Sequence, residues 1–131
     1  PEEIKERGVL VGKQDIRQLK KYIIQYWVDH IEEVLSKHNV KAEEIDYVIP
    51  HVSSMFFYEK LNDEITARGI ALTKKKWFTN LTSVGNIGSA AIYVALDEFI
   101  RTNNIKRGQK ILLLVPESGR FSYGSVLLTA Q

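Results

Sequence analysis

From Asp15 onward the apolar positions of this chain recur at steps of three and four. Ile16, Leu19, Ile23, Trp27, Ile31, Val34 and Leu35 fall on one stripe, which predicts an amphipathic helix with Asp15 as N-cap. The pattern stops at His38-Asn39, and Asn39 is suited to a left-handed stop. Before it, Val9-Leu10-Val11 lies between Gly8 and Gly12, a short strand or loop edge. After a polar connection at Ala42-Glu43-Glu44, the apolar run Ile45 to Ile49 ends at Pro50 and predicts a buried strand. Ser53 or Ser54 then caps a second helix over about 55–68, with Phe57, Tyr58, Leu61 and Ile65 on its apolar side and Gly69 after it.

Thr73 to Leu81 carries a basic triplet followed by Trp77-Phe78-Thr79, a predicted strand. Gly85, Asn86 and Gly88 form a turn, and Ser89 opens a third helix, about 89–102, that begins with small residues. Ile111 to Val115 is a strand, Pro116 to Arg120 a loop, and Phe121 to Thr129 a last strand interrupted by Gly124. Strands alternating with helices and having near-continuous apolar runs argue for an α/β layered sheet. The last two strands can form a hairpin, which makes the sheet mixed. There is no internal repeat and no linker, so residues 1–131 are one unit, as the length of 131 residues also indicates.

Composition narrows the function classes. Apolar residues make up 44% and charged residues 26%, an ordinary globular balance. The net charge of +2 is too even for a dedicated polyanion binder. No apolar run approaches the roughly 18 residues of a membrane span, and no secretory segment opens the chain, so a cytoplasmic protein without membrane association is expected. There is no cysteine, which excludes a disulfide scaffold, a thiolate metal site and a cysteine nucleophile within these residues. The first residue is Pro1 and the one methionine is Met55, as expected of a processed chain or a piece of a longer one.

Three places carry candidate chemistry. His51 directly follows a strand end, where ligands bind in α/β sheets, so it is either a donor or base at the mouth of a site or a histidine satisfied in a loop. Asn86, between a strand-like segment and a helix, offers an amide donor at every pH, or serves as a turn and capping residue. Ser118-Gly119-Arg120 joins two strands, and Gly119 can either turn its backbone N–H toward a ligand oxygen or simply make the hairpin turn. His30 and His38 lie eight apart on the first helix as solvated residues, without metal-ligand spacing. Lys74-Lys75-Lys76 with Trp77 and Phe78 could bind a single-stranded nucleic acid, with a steep salt dependence, but a solvated loop and core aromatics account for the same pattern.

Ile49-Pro50-His51, Gly85-Asn86 opening an Ala-rich helix, and Ser118-Gly119-Arg120-Phe121-Ser122-Tyr123-Gly124-Ser125 together resemble the C-terminal half of β-ketoacyl-acyl-carrier-protein synthase III, one of the thiolase-fold condensing enzymes. Ala95-Leu96-Asp97-Glu98 and Ile105-Lys106-Arg107-Gly108-Gln109 share the likeness, which runs from about Asp15 to the end. The resemblance implies an α/β architecture that is the C-terminal half of a thiolase-like fold, with a mixed sheet and helices on both faces. Residues 1–131 would be the C-terminal thiolase-like domain of a longer condensing enzyme. It implies that His51 and Asn86 are the His and Asn of a Cys-His-Asn triad and stabilise the enolate of a malonyl-type extender in a decarboxylative Claisen condensation. Gly119 would give its backbone N–H to the oxyanion hole.

The same resemblance implies coenzyme A or acyl-carrier-protein thioesters as substrates and no bound cofactor or metal. The partners would be an N-terminal half carrying the nucleophilic cysteine, and a second copy in a homodimer. Without that cysteine the 131 residues alone are expected to be inactive. The third helix would be sandwiched in the whole enzyme, leaving its outer face apolar and exposed in these residues alone.

The chain also departs from the pattern. Val52-Ser53-Ser54 stands where the family usually has Gln-Ala-Asn, one glycine stands in the usually Gly-rich loop, and Phe56 falls near a basic carrier-docking position. The stretch from His51 to Asn86 is a few residues longer than usual. These departures fit a divergent, secondary-metabolism-like condensing enzyme better than housekeeping fatty-acid initiation. The alternative is a thiolase-fold interaction module that has lost its chemistry.

Overall fold

The computed structural model describes residues 15–131, so the segment Val9-Leu10-Val11 lies outside the described residues. Helix α1 runs Ile16–Lys37. The Asp15 carboxylate accepts from the N–H of Arg17 at 3.0 Å and of Gln18 at 3.2 Å, satisfying donors that the first turn would otherwise orphan. The helix stops where Asn39 turns to φ 52°, a conformation Asn tolerates better than most residues.

Strand β1 (Tyr47–Pro50) pairs in parallel with β2 (Lys110–Glu117), and β2 pairs antiparallel with β3 (Ser122–Thr129). Among the described residues this makes one mixed sheet of order β1-β2-β3. Helix α2 (Met55–Ala67) follows β1, and helix α3 (Ala91–Thr102) precedes β2.

The alternation of side chains along β1 and β2 divides the core. On one face Val48, Leu112 and Leu114 pack with Trp27, Val28 and Ile31 of α1 and with Leu61 and Ile65 of α2. On the other, Ile49, Ile111 and Leu113 pack with Ile92, Ala95 and Phe99 of α3. Both faces of β2 are covered, which is why its apolar run is continuous rather than alternating. The outer side of α3 carries Tyr93 at 71% exposure and Ile100 at 53%, the exposed apolar face that the resemblance implies.

Beyond shifts of one or two residues at element ends, among them the first strand at Tyr47–Pro50 and the third helix from Ala91, four details differ from the sequence reading. Trp77-Phe78-Thr79 is not a strand. Lys74–Lys76 is a turn of 3-10 helix, and Trp77 makes one isolated parallel bridge with Val48. The segment is held by side chains instead of a ladder: the Lys76 ammonium donates to the carbonyls of Ile45 (2.6 Å) and Ala42 (3.2 Å), and the Trp77 indole N–H to that of Leu72 (2.6 Å). A helical turn, Leu81–Val84, follows. Third, Pro116 and Glu117 belong to β2 rather than to a loop, pairing with Tyr123 and Ser122. Leu114 is the last β2 residue with a partner on β1, so the missing N–H of Pro116 falls beyond the doubly paired part of the strand. Finally, Ser54 holds the N-cap position of α2 without a side-chain capping bond.

Candidate active site

The carboxyl ends of β1 and β2 and the start of α3 enclose a cleft of about 350 Å³. His51 enters it from the end of β1, Asn86 and Ser89 from the turn before α3, and Pro116, Glu117 and Ser118 from the end of β2. This is where a parallel pair of strands presents its ligand-binding edge. His51 and Asn86, far apart in sequence, therefore line one cleft.

Each is placed by backbone interactions. The His51 N–H donates to the Leu114 carbonyl at 2.8 Å, carrying the parallel ladder one residue past β1. The imidazole is half-buried, and burial pushes it below its ordinary pKa, so at neutral pH it is an uncharged ring with one donor and one acceptor nitrogen. It also borders a smaller cavity of about 20 Å³ beside Asn80 and Ala91.

Asn86 sits between Gly85 (φ 80°) and Gly88 (φ 67°). Its Oδ1 accepts the Gly88 N–H at 3.1 Å. The two readings of this residue are thus compatible, because a carbonyl oxygen engaged in the turn orients the amide and leaves its nitrogen as the donor. Upstream, Asn80 Nδ2 donates to Glu98 Oε2 at 2.6 Å, tying the Leu81–Val84 turn to α3.

Gly119 is placed differently from the other two. Its N–H donates at 2.7 Å to Oε1 of Glu117, and the Arg120 N–H donates at 2.9 Å to the other oxygen of the same carboxylate. The donor that the resemblance assigns to an oxyanion is here bonded to a side chain of its own loop. Glu117 is a cleft residue that the sequence reading did not single out. Its signal was an acidic residue two and three positions before the N–H groups of a tight turn, a spacing at which side-chain oxygens bond the backbone.

The remaining candidates fall elsewhere. His30 is not a solvated helix residue: it stacks on Tyr123 with ring centroids 5.9 Å apart, and its Nε2 is buried without a hydrogen-bond partner. Periodicity missed this because β3 covers that side of α1. His38 is exposed. Among the described residues no group of three His, Cys, Asp or Glu side chains is placed to hold a metal ion. No helix among them is long and apolar enough to cross a membrane. Of the three lysines, Lys74 pairs with Glu59 at 2.8 Å and Lys76 caps carbonyls, while Trp77 packs edge-on against Tyr58 at 4.9 Å. Two of the three charges and the Trp77 ring thus have partners within the protein, as the solvated-loop and core-aromatic account of this pattern expects.

Residues 35–130 match the family model described as 3-oxoacyl-[acyl-carrier-protein] synthase III C terminal. The chain is 32% identical over 112 residues to a beta-ketoacyl-[acyl-carrier-protein] synthase III of Clostridium perfringens, covering 86% of this chain and 33% of that protein. It is 33% identical over 112 residues to the protein of the same name from Aquifex aeolicus, covering 86% and 34%. The crystal structure of the 3-oxoacyl-[acyl-carrier-protein] synthase III from Aquifex aeolicus VF5 superposes with a TM-score of 0.75 at 32% identity, over 89% of this chain and 36% of that one. A synthase III structure from Pseudomonas aeruginosa PAO1, at 21% identity, shares the fold with a TM-score of 0.74 over 90% of this chain and 35% of that one. The chain spans about a third of the length of the curated relatives it matches.

Proposed function

The chain belongs to the 3-oxoacyl-[acyl-carrier-protein] synthase III family, whose C-terminal part it matches, and from that premise we propose that it supplies the enolate-stabilising side of a decarboxylating condensation. One observation carries the reading: His51 and Asn86 line one cleft at the carboxyl end of β1. In the proposed reaction a malonyl-type thioester loses CO₂. The electron pair of the broken C–C bond moves onto the thioester carbonyl, and the resulting enolate oxygen accepts hydrogen bonds from the His51 imidazole and the Asn86 amide. Preorganised donors at the atom where charge develops lower the barrier. A neutral histidine supports this role because it donates without a proton being drawn from solvent.

The enolate carbon then attacks an acyl group held as a thioester on a cysteine, and the C–C bond forms as the cysteine thiolate leaves. Residues 1–131 contain no cysteine, so that thiolate comes from outside them, and these residues alone do not condense. They are the C-terminal thiolase-like domain of the complete enzyme, an acyltransferase acting in the cytoplasm as a homodimer on coenzyme A or carrier-protein thioesters. The reaction written this way uses no bound cofactor.

The test uses the complete protein. His51→Ala and Asn86→Ala each lower malonyl-thioester decarboxylation by about 10²–10³-fold, while transfer of the acyl group onto the enzyme persists. Full decarboxylation by His51→Ala would overturn the assignment. Absence of both steps in the unaltered protein would favour the interaction module.

A further inference from the structure

We propose that Glu117 acts as a built-in competing anion: its carboxylate occupies the Gly119 N–H, and the loop accepts a substrate oxyanion only when that carboxylate swings away. The inference rests on the reading of Gly119 as an oxyanion donor given above, and adds the residue that controls it. Three observations support it. Both carboxylate oxygens are engaged, Oε1 by Gly119 at 2.7 Å and Oε2 by Arg120 at 2.9 Å, so Glu117 holds the two N–H groups as a bound anion would. Glu117 lines the same cleft as His51 and Asn86, so the displaced carboxylate has room in which to move. The side chain is exposed, and a hydrogen bond to a charged group at such a site is one a developing oxyanion can exchange.

The affected step is acyl loading. A thiolate from the rest of the protein adds to the carbonyl carbon of an acyl thioester, and the carbonyl π pair moves onto oxygen. The oxyanion then collapses and expels the donor thiolate, which takes up a proton. The negative oxygen needs the Gly119 N–H during that step. With Glu117 in place, two anions compete for one donor. The enolate step uses His51 and Asn86, and Glu117 bonds neither.

Two variants of the complete protein test this. Glu117→Ala removes the competing carboxylate. Glu117→Gln keeps the length of the side chain and an acceptor oxygen but removes the charge that competes with the oxyanion. Both variants are expected to raise the ratio of the loading rate to the decarboxylation rate, by about ten-fold for Glu117→Ala. In ¹⁵N-glycine-labelled protein the Gly119 amide proton shifts upfield in Glu117→Ala as its charged acceptor is lost. An unchanged or lowered ratio in both variants would overturn the proposal and make the carboxylate a brace for the turn. If Glu117→Ala does not fold, Glu117→Gln decides alone. The amide shift does not depend on the functional reading, whereas a fully active His51→Ala would remove that reading and leave the shift standing.

Discussion

The Tyr123 hydroxyl donates to the Ile23 carbonyl at 3.0 Å, joining β3 to α1 across 100 residues of sequence. Ile23 lines the cleft, so this bond fixes one wall of the site to the sheet. Burial, with Tyr26 and Asp29 nearby, pushes the phenol up to about 12, and the hydroxyl remains a donor throughout the physiological range. Tyr123→Phe keeps the ring packed on His30 and removes the donor. A loss of about 1 kcal/mol in urea unfolding is expected. An unshifted midpoint would show that water replaces the bond at no cost.

Leu112 is 3% exposed and lies between the two helices of the α1–α2 face. Leu112→Ala removes packed methyl groups from a site walled by Trp27, Leu61 and Ile65 and should cost about 2–5 kcal/mol. Lys75→Ala, on the exposed turn, should stay within about 0.5 kcal/mol. Parallel denaturant titrations distinguish them, and similar midpoints would mean that the core relaxes around the lost side chain.

Arg68, one residue past α2, bridges Asp29 at 2.6 Å and Glu32 at 2.7 Å on α1 while its Nε donates to Glu64 at 2.9 Å. All three carboxylates are partly solvated, so the network is worth about 1 kcal/mol rather than several. Arg68→Lys should lose most of it, because one ammonium cannot reproduce the fork. The difference between wild type and Arg68→Lys should shrink in 1 M salt, where the Debye length falls to about 3 Å. A difference that salt leaves intact would assign the effect to packing of the stem.

Burial holds both His51 and His30 below the ordinary histidine pKa. In the unfolded chain each takes up a proton near pH 6.5, and in the folded protein only at lower pH. Over that window the unfolded state binds more protons, so unfolding free energy rises with pH and stability falls as pH drops below about 6.5. His30→Gln should flatten the slope between pH 5 and 7 in thermal unfolding. A slope of unchanged steepness would place the uptake at other groups.

What depends on near neighbours along the chain is legible in the order of its residues. The Asp15 cap, the stripe from Leu19 to Ile31, the positive-φ stop at Asn39 and the apolar runs of β1 and β2 all follow from local periodicity and turn chemistry. The order of the motifs around His51, Asn86 and Gly119 was enough to identify the family. Tertiary structure decided what depends on contacts between distant segments. Trp77 is left with one bridge because Lys76 reaches carbonyls 31 and 34 residues away. His30 is covered by Tyr123 because β3 crosses α1. His51 and Asn86 share a cleft because the end of β1 and the turn before α3 meet at one edge of the sheet. Local patterns specify elements because backbone hydrogen bonding repeats at fixed intervals. Side-chain partners have no such interval, so only the folded chain sets them.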